Sequence, residues 1–427
     1  MIMNRRKFLI RSANGLTTLV ALPVLPYLFR SSFGARADDS PALPPHFMLT
    51  LAIPGGLDAT LGLDPQIMPK GADTRDMFIE YRPEDIIEAS GLRFGPSAAP
   101  LKEFASSIAV VNGLMMRRDV GHDSLRAYMA SGDLTQKYGA FSAEMAMLRK
   151  DSPIGMIMAG QTYSSSSYMG ARNLLITSTD DLSSTALETN AGALQEVVGD
   201  PIGTDSEARS TEKSYLELVQ LQPRLTDAIK KISGGADKPE PQDIVAAAFS
   251  SGMSCEGLIE FNQENDTDSH SNHEKRHLAA QKKAWESVTK VFNAFKRTDY
   301  LGQSLFDQTT FFIVTEFSRT PALNYDLGKD HNPFTNSILL AGKGVPGGKT
   351  FGQSRLIPRG QTADGMPLHI GCAFNYDTGA IAQSRAEAQG YIYPENVIRS
   401  LVDIFGNPPG FESVKSSVPL IPGWKKS

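Results

Sequence analysis

The sequence predicts an α/β fold with a mostly parallel sheet and helices on both faces. Three observations carry this expectation. Short, nearly continuous apolar runs recur along the chain, as expected of strands buried on both sides. Longer stretches between them repeat apolar residues at helical spacing. Carboxylates and histidines gather just after several of the apolar runs, where open α/β sheets bind ligands.

The elements follow in order. Phe47 to Ile53 (FMLTLAI) reads as a buried strand that runs into the loop Pro54-Gly55-Gly56. Ile108 to Val111, Asn173 to Thr177, Thr309 to Thr315 and Ser337 to Ala341 read as four more strands. Helical patterns cover 123–131, 141–149, 212–232, 241–261, 275–295 and 394–405, the last with Pro394 in its first turn. Segments 203–211 and 234–242 read as exposed connections around a helical insert at about 200–260. Gly342 to Gly348 lacks the Gly-Lys-Ser/Thr ending of a phosphate loop and reads as a turn between strands.

The first residues form a separate unit. Asn4-Arg5-Arg6-Lys7-Phe8-Leu9-Ile10 places two arginines before a short apolar stretch, and Ala35-Arg36-Ala37 is a small-residue cleavage site. The stretch from Leu16 to Phe29 is broken by Pro23 and Pro26 and is too short for a comfortable membrane span. This arrangement resembles a twin-arginine signal. It implies a signal peptide over 1–37, passage of the folded chain through the twin-arginine machinery, and a periplasmic or secreted location. Residues 38–45 then read as a flexible lead-in, and 46–427 as a single α/β domain with its helical insert. With 42 basic and 47 acidic residues and no basic block, nothing points to nucleic acid. No later apolar run is long enough to span a membrane. Cys255 and Cys372 form no CxxC motif, which leaves either a disulfide or two buried thiols.

The chemistry-bearing residues are few, with seven histidines in 427 residues. Asp266, Asp268 and His270 cluster in one polar stretch. Asp330-His331 lies between two apolar runs. Asp58 follows the first strand, and Glu316 follows the Thr309 to Thr315 strand. Oxygen ligands combined with imidazole suit zinc, manganese, magnesium or calcium, as one ion or two. A structural role is the alternative in each case, since a carboxylate after a strand also caps helices. His273 and His277, four residues apart, read as one helix face. His46 reads as an edge residue, His369 as a core histidine, and Met115, Met116, Met129, Met145 and Met147 as core filling.

Several pieces then add up in order. They are Gly55-Gly56-Leu57-Asp58, Gly121-His122-Asp123-Ser124 with Ser131-Gly132, and Asp268-Ser269-His270-Ser271-Asn272. Thr315-Glu316-Phe317-Ser318-Arg319-Thr320-Pro321, Asp330-His331 and Gly342 to Gly348 with Phe351-Gly352 complete the set. Together they resemble the bacterial family known as domain of unknown function 1501, which is similar to the alkaline phosphatase and sulfatase superfamily. The resemblance implies an alkaline-phosphatase-like fold and an exported metal-dependent hydrolase of phosphate or sulfate esters, small-molecule or glycan. It implies metal ligands at Asp58, Asp268 (or Asp266), His270, Glu316, Asp330 and His331. Ser124 would be the nucleophile with His122 beside it, and Arg319 would hold substrate oxygens. Phe317 stands where the superfamily carries a further histidine. The alternative is a non-catalytic exported binding or assembly protein that keeps the fold.

Overall fold

The computed structural model describes residues 46–425 except 69–72, 74, 118–120, 136, 150, 151, 161–172, 177–220, 237, 262–266, 360, 363, 364, 412 and 413. The expected signal peptide and lead-in, Asp266, Thr177, the 203–211 connection and the first half of the 212–232 helix lie outside the described residues.

Eight strands form the central sheet. They are β1 (Phe47–Ala52), β2 (Ile108–Val111), β3 (Met156–Gly160), β4 (Asn173–Ile176), β5 (Glu256–Glu260), β6 (Thr309–Val314), β7 (Ile338–Gly342) and β8 (Lys349–Phe351). Their spatial order is β8-β2-β7-β6-β1-β5-β3-β4. Every neighbouring pair is parallel except the two made by β7, which runs antiparallel to both β6 and β2. The sheet is therefore mostly parallel, as the apolar runs predict.

Strand β1 shows why the strands read as unbroken apolar runs. All six of its residues are buried. Phe47, Leu49 and Leu51 enter one core, while Met48 and Ala52 enter the other. A two-residue period with both faces covered leaves no solvent-facing position, and Thr50 is the one polar residue in the strand. The first core is covered by α3 (Pro241–Ser250) and α4 (His273–Arg297). The second is covered by α1 (His122–Ser131), α2 (Phe141–Leu148) and α5 (Pro394–Ile404). Helix α4 carries Ala284, Trp285, Val288, Val291, Phe292 and Phe295 inward, a stripe at helical spacing, and charged residues on its outer face.

The helical reading of 241–261 is corrected by the structure. Helix α3 stops at Ser250, Gly252 adopts a left-handed φ of 71°, and residues 256–260 form a strand between β1 and β3. Its sequence, Glu-Gly-Leu-Ile-Glu, hides a central strand between two carboxylates, both of which are buried. Gly257 is needed there, because a Cβ would meet Val245 at 2.9 Å and Phe249 at 3.0 Å. The expected insert at about 200–260 thus supplies a central strand as well as helix. Strand β3 is likewise additional to the expected strands, and β8 follows directly on the expected turn after β7. Both cysteines are free and half-buried.

Strands β5, β1 and β6 are adjacent and parallel. Their carboxyl ends, at Glu260, Ala52 and Val314, therefore open on one edge of the sheet. The loops leaving them carry Asp268 and His270, Asp58, and Glu316 to Arg319, which is where an open α/β sheet builds a site.

Candidate metal centre

Four side chains converge at this edge: His122, Asp268, His270 and His331, with ligand atoms all within 4.8 Å of one another. His122 opens α1, which starts after β2. Asp268 and His270 follow β5, and His331 lies between β6 and β7. His331 pairs through its backbone with Arg319 in a two-residue antiparallel ladder. Residues far apart in sequence meet because each follows the same end of the sheet.

Two of the three imidazoles are oriented by a carboxylate behind them. His122 Nδ1 lies 2.8 Å from Glu316 Oε1, and His270 Nδ1 lies 2.9 Å from Asp330 Oδ1. A carboxylate accepts and cannot donate, so each Nδ1 carries the hydrogen and each Nε2 offers its lone pair. His270 Nε2 lies 2.8 Å from His331 Nε2 and 3.2 Å from Asp268 Oδ1. His331 Nε2 is 3.7 Å from Asp268 Oδ1, and His122 Nε2 is 3.7 Å from Asp268 Oδ2. Two imidazole nitrogens facing each other at 2.8 Å must share a proton or a cation. A tetrahedral zinc with bonds of about 2.0–2.1 Å has ligand–ligand edges of about 3.3 Å, inside the range from 2.8 to 4.8 Å in which these atoms lie. The residues present therefore fit a divalent cation.

Packing and charge fix the arrangement. Phe317 is fully buried; its ring stacks on His331 at 4.1 Å and meets His122 edge-on at 4.9 Å. It is an apolar wall for two imidazoles and offers no ligand atom itself. Gly56, at φ 74°, allows this, since a Cβ would sit 2.3 Å from the Phe317 ring. Burial acts to raise the Asp268 carboxyl, but the neighbouring His331 imidazole, the 2.7 Å hydrogen bond from Arg319 and the Arg319 charge hold it well below the usual range. Glu316 is opposed by burial in the same way and is kept low by His122, the Arg126 charge and the Gly55 N–H. Burial disfavours the charged form of His122, yet Glu316 and Asp268 bring it above its ordinary value. Burial likewise opposes the ionised Asp330, which His270 and Asn324 hold low.

The other expected site residues lie elsewhere or act differently. Glu316 and Asp330 stand behind the imidazoles. Arg319 is fully buried, and its guanidinium donates to Gly56 O at 3.1 Å, Lys329 O at 3.0 Å, Asp268 Oδ1 at 2.7 Å and also Gly55 O. It ties three loops together rather than facing solvent. Asp58 is buried away from the cluster. Its Oδ1 caps the short helix Ala59–Leu61 by accepting from Thr60 N, and its Oδ2 takes a 2.6 Å ion pair from Lys329. Ser124 sits in the first turn of α1 and donates to Gly121 O at 3.1 Å. His122 belongs to the cluster itself.

Sequence reasoning missed a second network beneath the first. His273 and His277, expected on one helix face, are stacked at 4.3 Å and fully buried. Ser269 Oγ bridges their Nδ1 atoms at 2.7 and 2.8 Å, and Asp58 N donates to His277 Nε2 at 3.1 Å. Burial pushes His273 down to about 4, partly offset by the Asp58 carboxylate 3.3 Å from its Nε2. Lys329 also lacked a signal, because a buried lysine has no pattern apart from its partner. His46, beside Thr310 and stacked on Phe405, and His369, buried beside Ser354, are structural.

A family model described as a protein of unknown function, DUF1501, matches residues 258–370. The motif resemblance therefore holds over the segment carrying Asp268, His270, Glu316, Arg319, Asp330 and His331. No curated protein matches the chain in sequence. Among solved structures, the chain is similar to the lipoteichoic acid synthase LtaP from Listeria monocytogenes. That match has a TM-score of 0.38 and 6% identity over 88% of this chain and 74% of that one. A putative sulfatase from Bacteroides thetaiotaomicron matches with a TM-score of 0.33 and 10% identity, over 90% of this chain and 75% of the other. A 2-O GAG sulfatase matches with a TM-score of 0.29 and 12% identity, over 71% and 65%.

Proposed function

We propose that this protein is an exported metal-dependent hydrolase-like protein acting on phosphate or sulfate esters. The observation that carries the reading is the convergence of His122, His270, His331 and Asp268, with Glu316 and Asp330 fixing two of the imidazoles from behind. Three imidazoles and one carboxylate suit zinc better than magnesium or calcium, which prefer oxygen ligands. A divalent ion there would supply Lewis acidity toward an ester oxygen. The chain's own residues do the rest. Glu316 and Asp330 aim imidazole lone pairs, Arg319 locks Asp268, and the Phe317 ring excludes water from one side. His270 and Asp268 remain partly exposed, which leaves the cluster open to a substrate. The ester class comes from the motif resemblance, and export from the twin-arginine-like start of the sequence.

The test is turnover of an aryl phosphate and an aryl sulfate by the zinc-loaded protein. Activity lost in His270→Ala supports the reading, and activity unchanged in that variant contradicts it. A binding or assembly role is the second reading. It is favoured by the engagement of Arg319 with backbone carbonyls and by the bond of Ser124 to Gly121 O rather than to a base. Metal binding without turnover of either ester would favour it.

A further inference from the structure

The two segments that bring His270 and His331 to the cluster turn other side chains inward. Ser269 and Lys329 are both buried. Lys329 Nζ donates to Asp58 Oδ2 at 2.6 Å and to Phe78 O at 3.0 Å. The same Asp58 oxygen lies 3.3 Å from His273 Nε2, which in turn lies 3.9 Å from Glu80 Oε1. Neither His273 Nε2 nor Glu80 Oε1 has a hydrogen-bond partner among the described residues. Two carboxylates and an imidazole, the donor set of a zinc or manganese site, thus gather near one ammonium group. Buried polar atoms are rarely left without partners, so the pair of orphans calls for an explanation.

We infer that Lys329 is a built-in cation that closes a second metal site made by Asp58, His273 and Glu80. An ammonium at 2.6 Å neutralises Asp58 as a metal would, but it donates hydrogens and offers no lone pair or open coordination position. His273 and Glu80 therefore stay unligated. Lysine fixes the number of ions at one and keeps the chemistry at the His122 cluster. The single ion in this statement rests on the proposed function; the closed second site does not.

The experiment counts zinc per chain by elemental analysis, after loading with excess zinc and gel filtration. It compares the wild type, Lys329→Ala and Lys329→Ala/Asp58→Asn. Lys329→Ala is expected to carry about one ion more than the wild type, and the double variant is expected to lose that gain. A folded Lys329→Ala with the wild-type count overturns the inference. So does a wild type that already holds two ions, one of them lost on Asp58→Asn. If Lys329→Ala does not fold, Lys329→Met/Asp58→Asn removes both charges together and should keep the wild-type count; loss of metal there overturns the inference. The wild-type count by itself tests the proposed function. A value of zero with a gain of one in Lys329→Ala would refute that function and leave this inference standing.

Discussion

Glu316 and Asp330 play the same part behind two imidazoles but differ in burial, which allows a paired prediction. The side chain of Glu316 is about 1% exposed and that of Asp330 about 53%. Replacing a carboxylate behind a metal-binding histidine typically lowers affinity 10- to 100-fold, or about 1.4–2.7 kcal/mol. In Asp330→Asn the amide oxygen can still accept from His270 Nδ1, and water screens the lost charge, so the expected loss in zinc affinity is about 10-fold. In Glu316→Gln the lost charge is buried beside Arg126, 3.4 Å away, and Gly55 N also depends on that side chain. The expected loss there is nearer 100-fold, with destabilisation of about 1–3 kcal/mol, because Arg126 loses one buried carboxylate and keeps Glu260 at 3.7 Å. Zinc competition with a chromophoric chelator reads the affinities, and thermal melting of the metal-free protein reads stability. Equal affinities in the wild type and both variants would refute the reasoning.

Two other predictions follow from buried charge. Burial, partly offset by Arg149, raises Glu256 to about 8, whereas an ordinary glutamate titrates near 4.5. The folded state then holds an extra proton between those values, so stability should fall as pH rises through that window, by up to about 1.4 kcal/mol per pH unit. Chemical denaturation of Glu256→Gln between pH 5 and 8 should show a flatter profile than the wild type; an unchanged slope would refute the assignment. Arg319→Lys should destabilise the metal-free protein by about 3 kcal/mol, because a single ammonium cannot reach all of the carbonyls that the guanidinium holds. Were Arg319 a substrate clamp alone, melting would be unaffected.

How much of this was legible in the sequence differs by element. Strands β1, β2 and β6 announce themselves because both faces are covered and nearly every position is apolar, with threonine the one polar residue type among them. Strand β5 does not, because Glu256 and Glu260 flank only three residues and their burial depends on Arg149 and Arg126, which come from helices on the other side of the sheet. Asp268, His270 and His331 stand out as a polar cluster and an Asp-His pair in a chain with few histidines. The part played by His122 is hidden, since nothing local tells an imidazole beside a serine from one aimed at a distant aspartate. Asp58 shows the converse. Its place after β1 suits a metal ligand and a helix cap equally, and only the position of Lys329, 271 residues away, separates the two. Charge partners across such distances are set by the fold and leave no trace in spacing.

The most direct test of the central claim is the zinc content of the wild-type protein beside His122→Ala and Asp268→Ala/His270→Ala, each shown to be folded. The account predicts about one ion per wild-type chain, weakened binding in His122→Ala and none in the double variant. A wild type that binds no divalent metal at neutral pH, or a double variant that retains it, would contradict the assignment of this cluster.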